Sequence, residues 1–105
     1  MTENIILVGF MGTGKSTIGR SLSQTLSYPV IDTDQLIEKQ QGRSIPEIFE
    51  EEGEDAFRDI ETALLRSLLK QSGHIISTGG GIIIREENRQ LLRKMGYVIW
   101  LVASP

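Results

Sequence analysis

The stretch that decides the fold is NIILVGFMGTGKSTIGRSLSQTL, residues 4–26. Residues 4–8 form a short, almost wholly apolar run, which is typical of a strand buried on both faces. From Ser16 the apolar residues recur with helical spacing, at Ile18, Leu22 and Leu26. Between strand and helix, residues 9–16 fit G-x-x-x-x-G-K-[ST] in full. A strand, a glycine loop and a helix in this order predict an α/β fold with a phosphate-binding loop.

The residue types of this loop suit the phosphates of a nucleotide. Glycines let the backbone approach a ligand closely. Their successive N–H groups form a concave anion site, to which the positive end of the following helix contributes. We expect Lys15 to reach the β- and γ-phosphates and the Ser16 hydroxyl to bind Mg²⁺. The predicted nucleotide-binding residues are Gly12, Thr13, Gly14, Lys15, Ser16 and Thr17.

Two other interpretations of the loop are possible. The plainer one is a glycine turn that carries a lysine by chance. The other is the dinucleotide fingerprint G-x-G-x-x-G, since Gly12 and Gly14 supply two of its glycines and acidic residues follow about 20 positions later. Thr17 stands where the third glycine belongs, and Lys15 and Ser16 have no role in that motif.

The rest of the chain alternates short apolar runs with helical patterns, which indicates a parallel sheet. Further strands are predicted at residues 30–31, where the strand reaches the acids at 32–34, at 74–78 and at 97–102, with Trp100 in the core and His74 in a structural role. The predicted helices are a short one beginning near Leu36 and closed by Gly42, one after a capping box at 44–47, and two at 55–71 and 86–95. We therefore predict a single α/β domain over residues 1–105, with a parallel β-sheet and flanking helices. The chain ends just after a strand, where such a domain normally continues, so we expect it to be C-terminally incomplete.

Composition excludes several classes of protein. The net charge of −3 and the absence of a Lys/Arg cluster argue against nucleic-acid binding, and the acidic run at 50–55 is most simply a solvated helix face. The chain has no cysteine, which excludes a disulfide scaffold and suits a reducing compartment. No apolar stretch approaches the roughly 18 residues of a membrane span, and no basic segment precedes the first apolar run.

Acidic residues follow only the second predicted strand. Asp32 and Asp34 lie at its carboxyl end, the edge where ligands bind in open parallel sheets. On an extended segment they would point to opposite sides, so that one could face a metal and the other a second ligand. The alternative is that one of them simply caps the next helix.

Two further features admit more than one interpretation. From spacing alone, Arg58 is best explained as a surface arginine in contact with Asp55 or Glu61. The three glycines at 79–81 follow a buried strand, at a large entropic cost. Either a close approach of backbone to a ligand or a sharp turn would account for them.

Taken together, four motifs resemble those of the shikimate kinase family, a P-loop member of the nucleoside monophosphate kinase-like group. They are GFMGTGKST at 9–17, DTD at 32–34, SIPEIFEEEGEDAFRDIE at 44–61 and TGGG at 78–81. The resemblance covers essentially the whole chain, and it implies a single P-loop kinase domain over residues 1–105 with a three-layer P-loop NTPase fold. It implies ATP-dependent phosphorylation of the 3-hydroxyl of shikimate, on the route to aromatic amino acids, by a cytoplasmic and monomeric enzyme.

The resemblance also implies roles for individual residues. Lys15 contacts the ATP phosphates, Ser16 ligates Mg²⁺, and Asp32 supports the metal through its water shell. Asp34 binds a substrate hydroxyl and is the candidate base. Arg58 pairs with the shikimate carboxylate, which replaces the surface interpretation. The remaining implied substrate contacts are the backbone of Gly79, Gly80 and Gly81 and, on the apolar side, Phe49 and Phe57.

Members of this family continue beyond a fourth strand with a mobile lid, two functional arginines, a fifth strand and an adenine-binding loop. None of these is present in residues 1–105. We therefore expect the chain by itself to bind ATP weakly and to turn over little. Gluconate kinase and nucleoside monophosphate kinases share the loop and fold but lack the combined motifs. A non-catalytic relative is a further alternative.

Overall fold

The computed structural model describes residues 3–9 and 15–101, with only the backbone of Ser16. Within these residues lie four strands and five helices, and three of the helices follow one another between the second and third strands. They are β1 (Asn4–Val8), α1 (Lys15–Leu26), β2 (Val30–Asp32), α2 (Thr33–Gln41), α3 (Ile45–Glu52), α4 (Glu54–Leu68), β3 (Ile75–Ser77), α5 (Glu86–Met95) and β4 (Gly96–Trp100).

The four strands form one parallel sheet in the order β2-β3-β1-β4. Ile5 of the central strand β1 lies opposite Ile75 of β3 on one side and Tyr97 of β4 on the other. Because all strands run in one direction, their carboxyl ends meet at a single edge. That edge carries the segments that follow β1, β2 and β3.

Helices cover both faces of the sheet. On one face Gly19 of α1 lies against Leu7 and Ile75, where a Cβ would be 3.5 Å from the Leu7 side chain. On the other face Ile6 and Ile76, both fully buried, belong to a core cluster shared with α2, α3, α4 and α5. The core residues of these helices are Ile37, Ile48, Phe57, Leu64, Leu65, Leu68, Leu91, Leu92 and Met95. The predicted α/β architecture with a parallel sheet and flanking helices is confirmed.

Local sequence signals determined most helix ends correctly. Ser44 and Glu47 form the predicted capping box, with reciprocal bonds of 3.2 and 3.0 Å. Gly42 ends α2 in the left-handed region, with φ of 66°. Helix α5 spans the predicted residues 86–95.

Other boundaries differ from the prediction. Helix α2 begins at Thr33 rather than near Leu36, because Asp32 caps it. Helix α4 ends at Leu68 rather than at residue 71, and β3 covers only residues 75–77. Leu26, predicted on the inner face of α1, is 39% exposed at the end of its helix.

The prediction that Trp100 lies in the core is wrong. Its side chain is 56% exposed, and Tyr97 on the same strand is 67% exposed. The reason is position: β4 is an edge strand of the described sheet, and only β1 flanks it there. Residue 102, the predicted end of this strand, lies outside the described residues.

His74 makes one contact with a distant residue and one with a near neighbour in the chain. Its backbone N–H donates to Asn4 Oδ1 at 3.0 Å, and its Nδ1 lies 2.8 Å from the Ser72 carbonyl oxygen. The acidic residues 50–52 and 54–55 are exposed, in agreement with a solvated helix face. None of the helices in the part of the chain that the structure describes is long and apolar enough to cross a membrane.

Candidate active site

Lys15 lies at the carboxyl edge of the sheet, at the start of α1. Its ammonium group donates to the carbonyl oxygen of Thr78 at 2.8 Å and to that of Gly9. These carbonyl groups belong to the residues directly after β3 and β1. The lysine therefore bridges the ends of two neighbouring strands, and its charge is held at the carboxyl edge of the sheet.

Burial lowers the pKa of Lys15 from its usual value, while the carboxylates of Asp34 and Asp32 oppose that shift. Burial removes water from around the ammonium group, which disfavours the charged form. Because both carboxylates raise the pKa of Lys15, the lysine interacts electrostatically with each of the two acids. A desolvated cation is well suited to stabilise charge on phosphate oxygens.

Asp32 ends β2 and caps α2, since its Oδ1 accepts a hydrogen bond of 3.1 Å from the Gln35 backbone. The capping interpretation is thus correct for this residue, and it does not exclude a second role. Asp32 also lines a cavity of about 170 Å³ together with Lys15, Arg20, Gln35 and Ser77. The side chain that caps α2 therefore shares an open space with the lysine of the phosphate loop.

Asp34 lies in the first turn of α2, so the prediction that both acids stand on an extended segment is wrong. The strand ends at Asp32, and the helix turns Asp34 toward the segment after β3. A Cβ built on Gly79 would lie 2.5 Å from Asp34 Oδ1 and 2.9 Å from Oδ2. The absence of a side chain at position 79 is therefore what admits the Asp34 carboxylate.

The pKa of Asp34 is raised above its usual value, chiefly by burial and also by Asp32, while Lys15 and Arg58 act in the opposite direction. A raised pKa makes a carboxylate a stronger base. Geometry and electrostatics together make Asp34 a candidate to accept a proton from a bound hydroxyl group.

Arg58 lies on α4, and its side chain is only 13% exposed. It donates to Glu61 at 3.0 Å and to Glu54 at 3.4 Å, so Glu61 is its partner as one interpretation expected, and Asp55 is not. A Cβ built on Gly81 would overlap the guanidinium group, at 2.7 Å from Nη1. The arginine is therefore no ordinary surface residue, because it lies against the glycine segment.

Glu61 is the residue of this site whose importance the sequence interpretation missed. It is 1% exposed, and burial raises its pKa even though Arg58 acts in the opposite direction. Its Oε2 and the Arg58 Nε are buried without a hydrogen-bond partner among the described residues. A signal was present: Glu61 lies one turn from both Phe57 and Leu64, on the apolar face of α4.

Two aromatic rings form an apolar wall beside Arg58. The ring centroids of Phe49 and Phe57 are 4.9 Å apart, with an interplanar angle of 30°. The Arg58 guanidinium carbon is 5.2 Å from the centroid of Phe57, close enough for a cation–π contact. This packing restricts the guanidinium group from one side, while Glu61 restricts it from another.

The segment from Thr78 to Gly81 brings these groups together. Lys15 binds its first carbonyl, Asp34 lies against Gly79, and Arg58 lies against Gly81. Since four residues of backbone span on the order of 10 Å, a cation, an acid and a guanidinium group lie along a distance that one small molecule can bridge. The turn interpretation of the glycines is confirmed, because Gly79 and Gly81 accept turn bonds from Ile82 and Ile84, and the ligand interpretation stays a prediction.

Several predicted residues lie outside this description. Gly12, Thr13 and Gly14 are not among the described residues, and neither is the Ser16 side chain. Thr17 is exposed on α1. Among the described residues, no group of three or more His, Cys, Asp or Glu side chains could hold a metal ion.

Comparison with known proteins identifies the family. The family model of shikimate kinase matches residues 11–105. The chain belongs to the shikimate kinase family. Among curated shikimate kinases, it is 49% identical to that of Cupriavidus pinatubonensis, over 97% of this chain and 53% of that protein. It is 52% identical to that of Thioalkalivibrio sulfidiphilus, over 98% of this chain and 54% of that protein.

Solved structures give the same result. The shikimate kinase from Acinetobacter baumannii in complex with shikimate has a TM-score of 0.94 at 42% identity, covering 99% of this chain and 58% of that one. The shikimate kinase from Aquifex aeolicus has a TM-score of 0.89 at 40% identity, covering 96% and 60%. A gluconokinase from Sinorhizobium meliloti, at 19% identity and a TM-score of 0.58, shares the fold alone. The chain spans a little over half the length of the shikimate kinases it matches.

Proposed function

We propose that the protein containing this chain transfers the γ-phosphoryl group of ATP to the 3-hydroxyl of shikimate. The observation that carries the proposal is the Thr78–Gly81 segment, along which Lys15, Asp34 and Arg58 are arranged in order. Membership of the shikimate kinase family supports the choice of substrate. A solved structure of a relative, the shikimate kinase from Acinetobacter baumannii, is of its complex with shikimate.

Each group has a role that its chemistry suits. Arg58 offers a planar set of donors that matches the substrate carboxylate, and Glu61 and Phe57 hold that plane in place. The amides at Gly79, Gly80 and Gly81 offer backbone donors to substrate hydroxyls. Phe49 and Phe57 supply the apolar side of the pocket.

The reaction forms one bond and breaks another. The substrate hydroxyl oxygen bonds to the γ-phosphorus while the bond from that phosphorus to the bridging oxygen of ADP breaks. The hydroxyl proton passes to Asp34, whose raised pKa favours its acceptance. Lys15 stabilises the negative charge on the transferred group, because phosphoryl transfer depends on positioning and charge stabilisation.

The residues present fit Mg²⁺. Mg²⁺ is commonly held by one or two protein oxygens together with substrate phosphates and waters, so a full cage of protein ligands is not required. The Ser16 hydroxyl and, through water, the Asp32 carboxylate would hold it, and Asp32 lines the same cavity as Lys15. When bound with ATP, the ion neutralises phosphate charge during transfer.

A cytoplasmic, monomeric enzyme is part of the proposal. The absence of cysteine suits the reducing cytoplasm. Lys15, Asp34, Arg58 and the glycine segment all come from one chain, so the described part of the site needs no second copy. The net charge of −3 argues against nucleic acid as a partner.

The test is an assay of ADP release by the complete gene product with shikimate, gluconate and nucleoside monophosphates as acceptors. Of these acceptors, we expect only shikimate to give ADP release, with a product that carries one added phosphoryl group. Lys15→Ala should abolish this turnover. Release with gluconate or a monophosphate, no release with any acceptor, or an unchanged rate in the lysine variant would each contradict the proposal.

A further inference from the structure

The glycine segment after β3 needs support from outside itself. Three consecutive glycines have no side chains with which to pack, and they lose more backbone freedom on folding than other residues. The segment makes two turn bonds of its own, from Ile82 N–H to Gly79 at 3.3 Å and from Ile84 N–H to Gly81 at 3.1 Å. Both bonds are internal to the segment, so they define the turn without fixing its position relative to the rest of the molecule.

Helix α5 supplies that support through two consecutive side chains. Asn88 Nδ2 donates to the Ile82 carbonyl at 2.9 Å. Arg89 Nη1 donates to the Ile83 carbonyl at 2.6 Å and lies 3.2 Å from that of Ile84. Three successive carbonyl groups at the end of the glycine turn are thus held by one turn of α5.

Asn88 also connects this turn to the helix that carries Arg58. Its Oδ1 lies 2.6 Å from the Thr62 hydroxyl, which in turn lies 3.0 Å from the Arg58 carbonyl oxygen. Asn88 is fully buried and Thr62 is 3% exposed. The hydrogen bond from Thr62 to Asn88 therefore joins α4, one turn after Arg58, to the backbone that follows Gly79–Gly81, and both side chains are buried.

A buried asparagine can be purely structural, and the chain contains such a case. Asn4 is 1% exposed, donates to the Gln71 and Met95 carbonyl groups at 3.0 and 3.1 Å, and accepts from His74. It begins β1, so it lies at the sheet edge opposite the candidate site. Asn88 differs because both of its partners lead directly to groups of that site.

We propose that Asn88 is a positioning residue for substrate binding. It holds the amides of Gly79–Gly81 at the separation from Arg58 at which both can contact a single shikimate molecule. This inference rests on the proposed function, and it adds a determinant of substrate affinity that itself does not touch the substrate. A displacement of about 1 Å in such a support can weaken productive binding by an order of magnitude or more.

The experiment compares Asn88→Ala with Asn4→Ala in the complete gene product. Both variants lose a buried polar network, so both should lower the melting temperature. Asn88→Ala should raise the KM for shikimate about tenfold while the KM for ATP stays within about twofold, because only the acceptor site is displaced. Asn4→Ala should leave both KM values unchanged.

Two further measurements keep the inference testable if Asn88→Ala does not fold. Thr62→Val removes one hydroxyl of the connection and should raise the KM for shikimate about threefold, in keeping with the loss of one hydrogen bond. Amide hydrogen exchange at residues 79–84 should be faster in Asn88→Ala or Thr62→Val without any ligand, and unchanged in Asn4→Ala.

The outcomes separate this inference from the proposed function. An active wild-type enzyme whose Asn88 and Thr62 variants keep the wild-type KM for shikimate would overturn the inference alone. So would Asn4→Ala raising that KM as much as Asn88→Ala does. A wild-type enzyme without shikimate turnover would overturn the proposed function, while exchange at residues 79–84 would still report whether Asn88 holds the segment.

Discussion

Single residues of the candidate site are held by contacts that also set their chemistry. Arg58 is held by a hydrogen bond to Glu61 and by contact with the ring of Phe57, and the missing side chain of Gly81 leaves room for its guanidinium group. Asp34 is admitted by the missing side chain of Gly79, and the resulting burial raises its pKa. A substitution of one such side chain should therefore change the kinetic constants for one substrate and leave those for the other nearly unchanged.

Arg58→Ala should raise the KM for shikimate by about 30-fold or more, because hydrogen bonds to a charged group contribute about 2 kcal/mol. The KM for ATP should stay nearly unchanged, and steady-state kinetics with each substrate varied will measure both. Arg43→Ala is the matched control, since Arg43 pairs with Glu51 and Glu52 on α3 rather than with the glycine segment. Equal losses for both substrates would count against the assigned role.

Asp34→Asn should lower kcat by about 10²- to 10⁴-fold, the usual contribution of a general base. In the wild-type enzyme the base must be ionised, so activity should fall as the pH drops through the raised pKa of Asp34. The acid limb should therefore lie above the ordinary aspartate value of about 3.9 and vanish in the variant. Asp55→Asn, at an exposed position of α4, should retain the wild-type pH profile.

Glu61→Gln tests the effect of the buried carboxylate on stability. The pKa of Glu61 is raised in the folded chain, so its carboxyl group loses its proton at a lower pH in the unfolded chain than in the folded chain. The free energy of unfolding therefore falls as the pH rises from about 4.3. Glutamine does not titrate, so the variant does not lose this stability. The melting temperature of the variant minus that of the wild type should therefore be larger at neutral pH than at acidic pH. Glu50→Gln, on an exposed face, is the control.

The opposite result is that the melting temperature of Glu61→Gln, relative to that of the wild type, falls from acidic to neutral pH. It would mean that the ion pair with Arg58 lowers the pKa of Glu61 by more than burial raises it. In that case the pKa of Glu61 would be depressed in the folded chain.

Elements of the fold begin and end where local chemistry permits. The Ser44–Glu47 capping box begins α3, Asp32 begins α2, and Gly42 ends it with a positive φ. These signals act over a few residues, which is why the sequence predicted them. The end of α4 and the start of β3 depend on packing against neighbouring elements, and the predicted boundaries there were less accurate.

Ser44→Ala should destabilise the protein by about 1 kcal/mol, the typical contribution of an N-cap side chain. Denaturant unfolding will measure the difference, and the KM values should be unaffected, since α3 contributes no polar group to the proposed site. Ser21→Ala, at an exposed position inside α1, should change stability by no more than about 0.5 kcal/mol. A loss of similar size in both variants would argue against the cap as the cause.

The whole molecule brings the site together at one edge of the sheet. Strand order β2-β3-β1-β4 places β3 between β1 and β2, so the segment after β3 lies within reach of both the lysine loop and the acids of α2. Helix α4 then adds Arg58, which lies against Gly81 of that segment. No single element contains the site, and its geometry depends on how four of them pack.

The sequence by itself determined the elements, the phosphate-loop motif and the presence of acids after β2. These follow from periodicity, caps and glycine positions, all of which act between residues close in the chain. The sequence also resembled its family strongly enough to indicate Arg58 and the three glycines, although spacing alone favoured a surface arginine.

Only the tertiary structure decided the strand order, the burial of Glu61 beneath Arg58, the exposure of Trp100 and the connection through Asn88. Each depends on contacts between residues far apart in the chain. Asn88 and Thr62 are 26 positions apart, and Lys15 and Thr78 are 63 apart. Such contacts are set by packing among helices and strands, because local backbone preferences do not specify which distant surfaces meet.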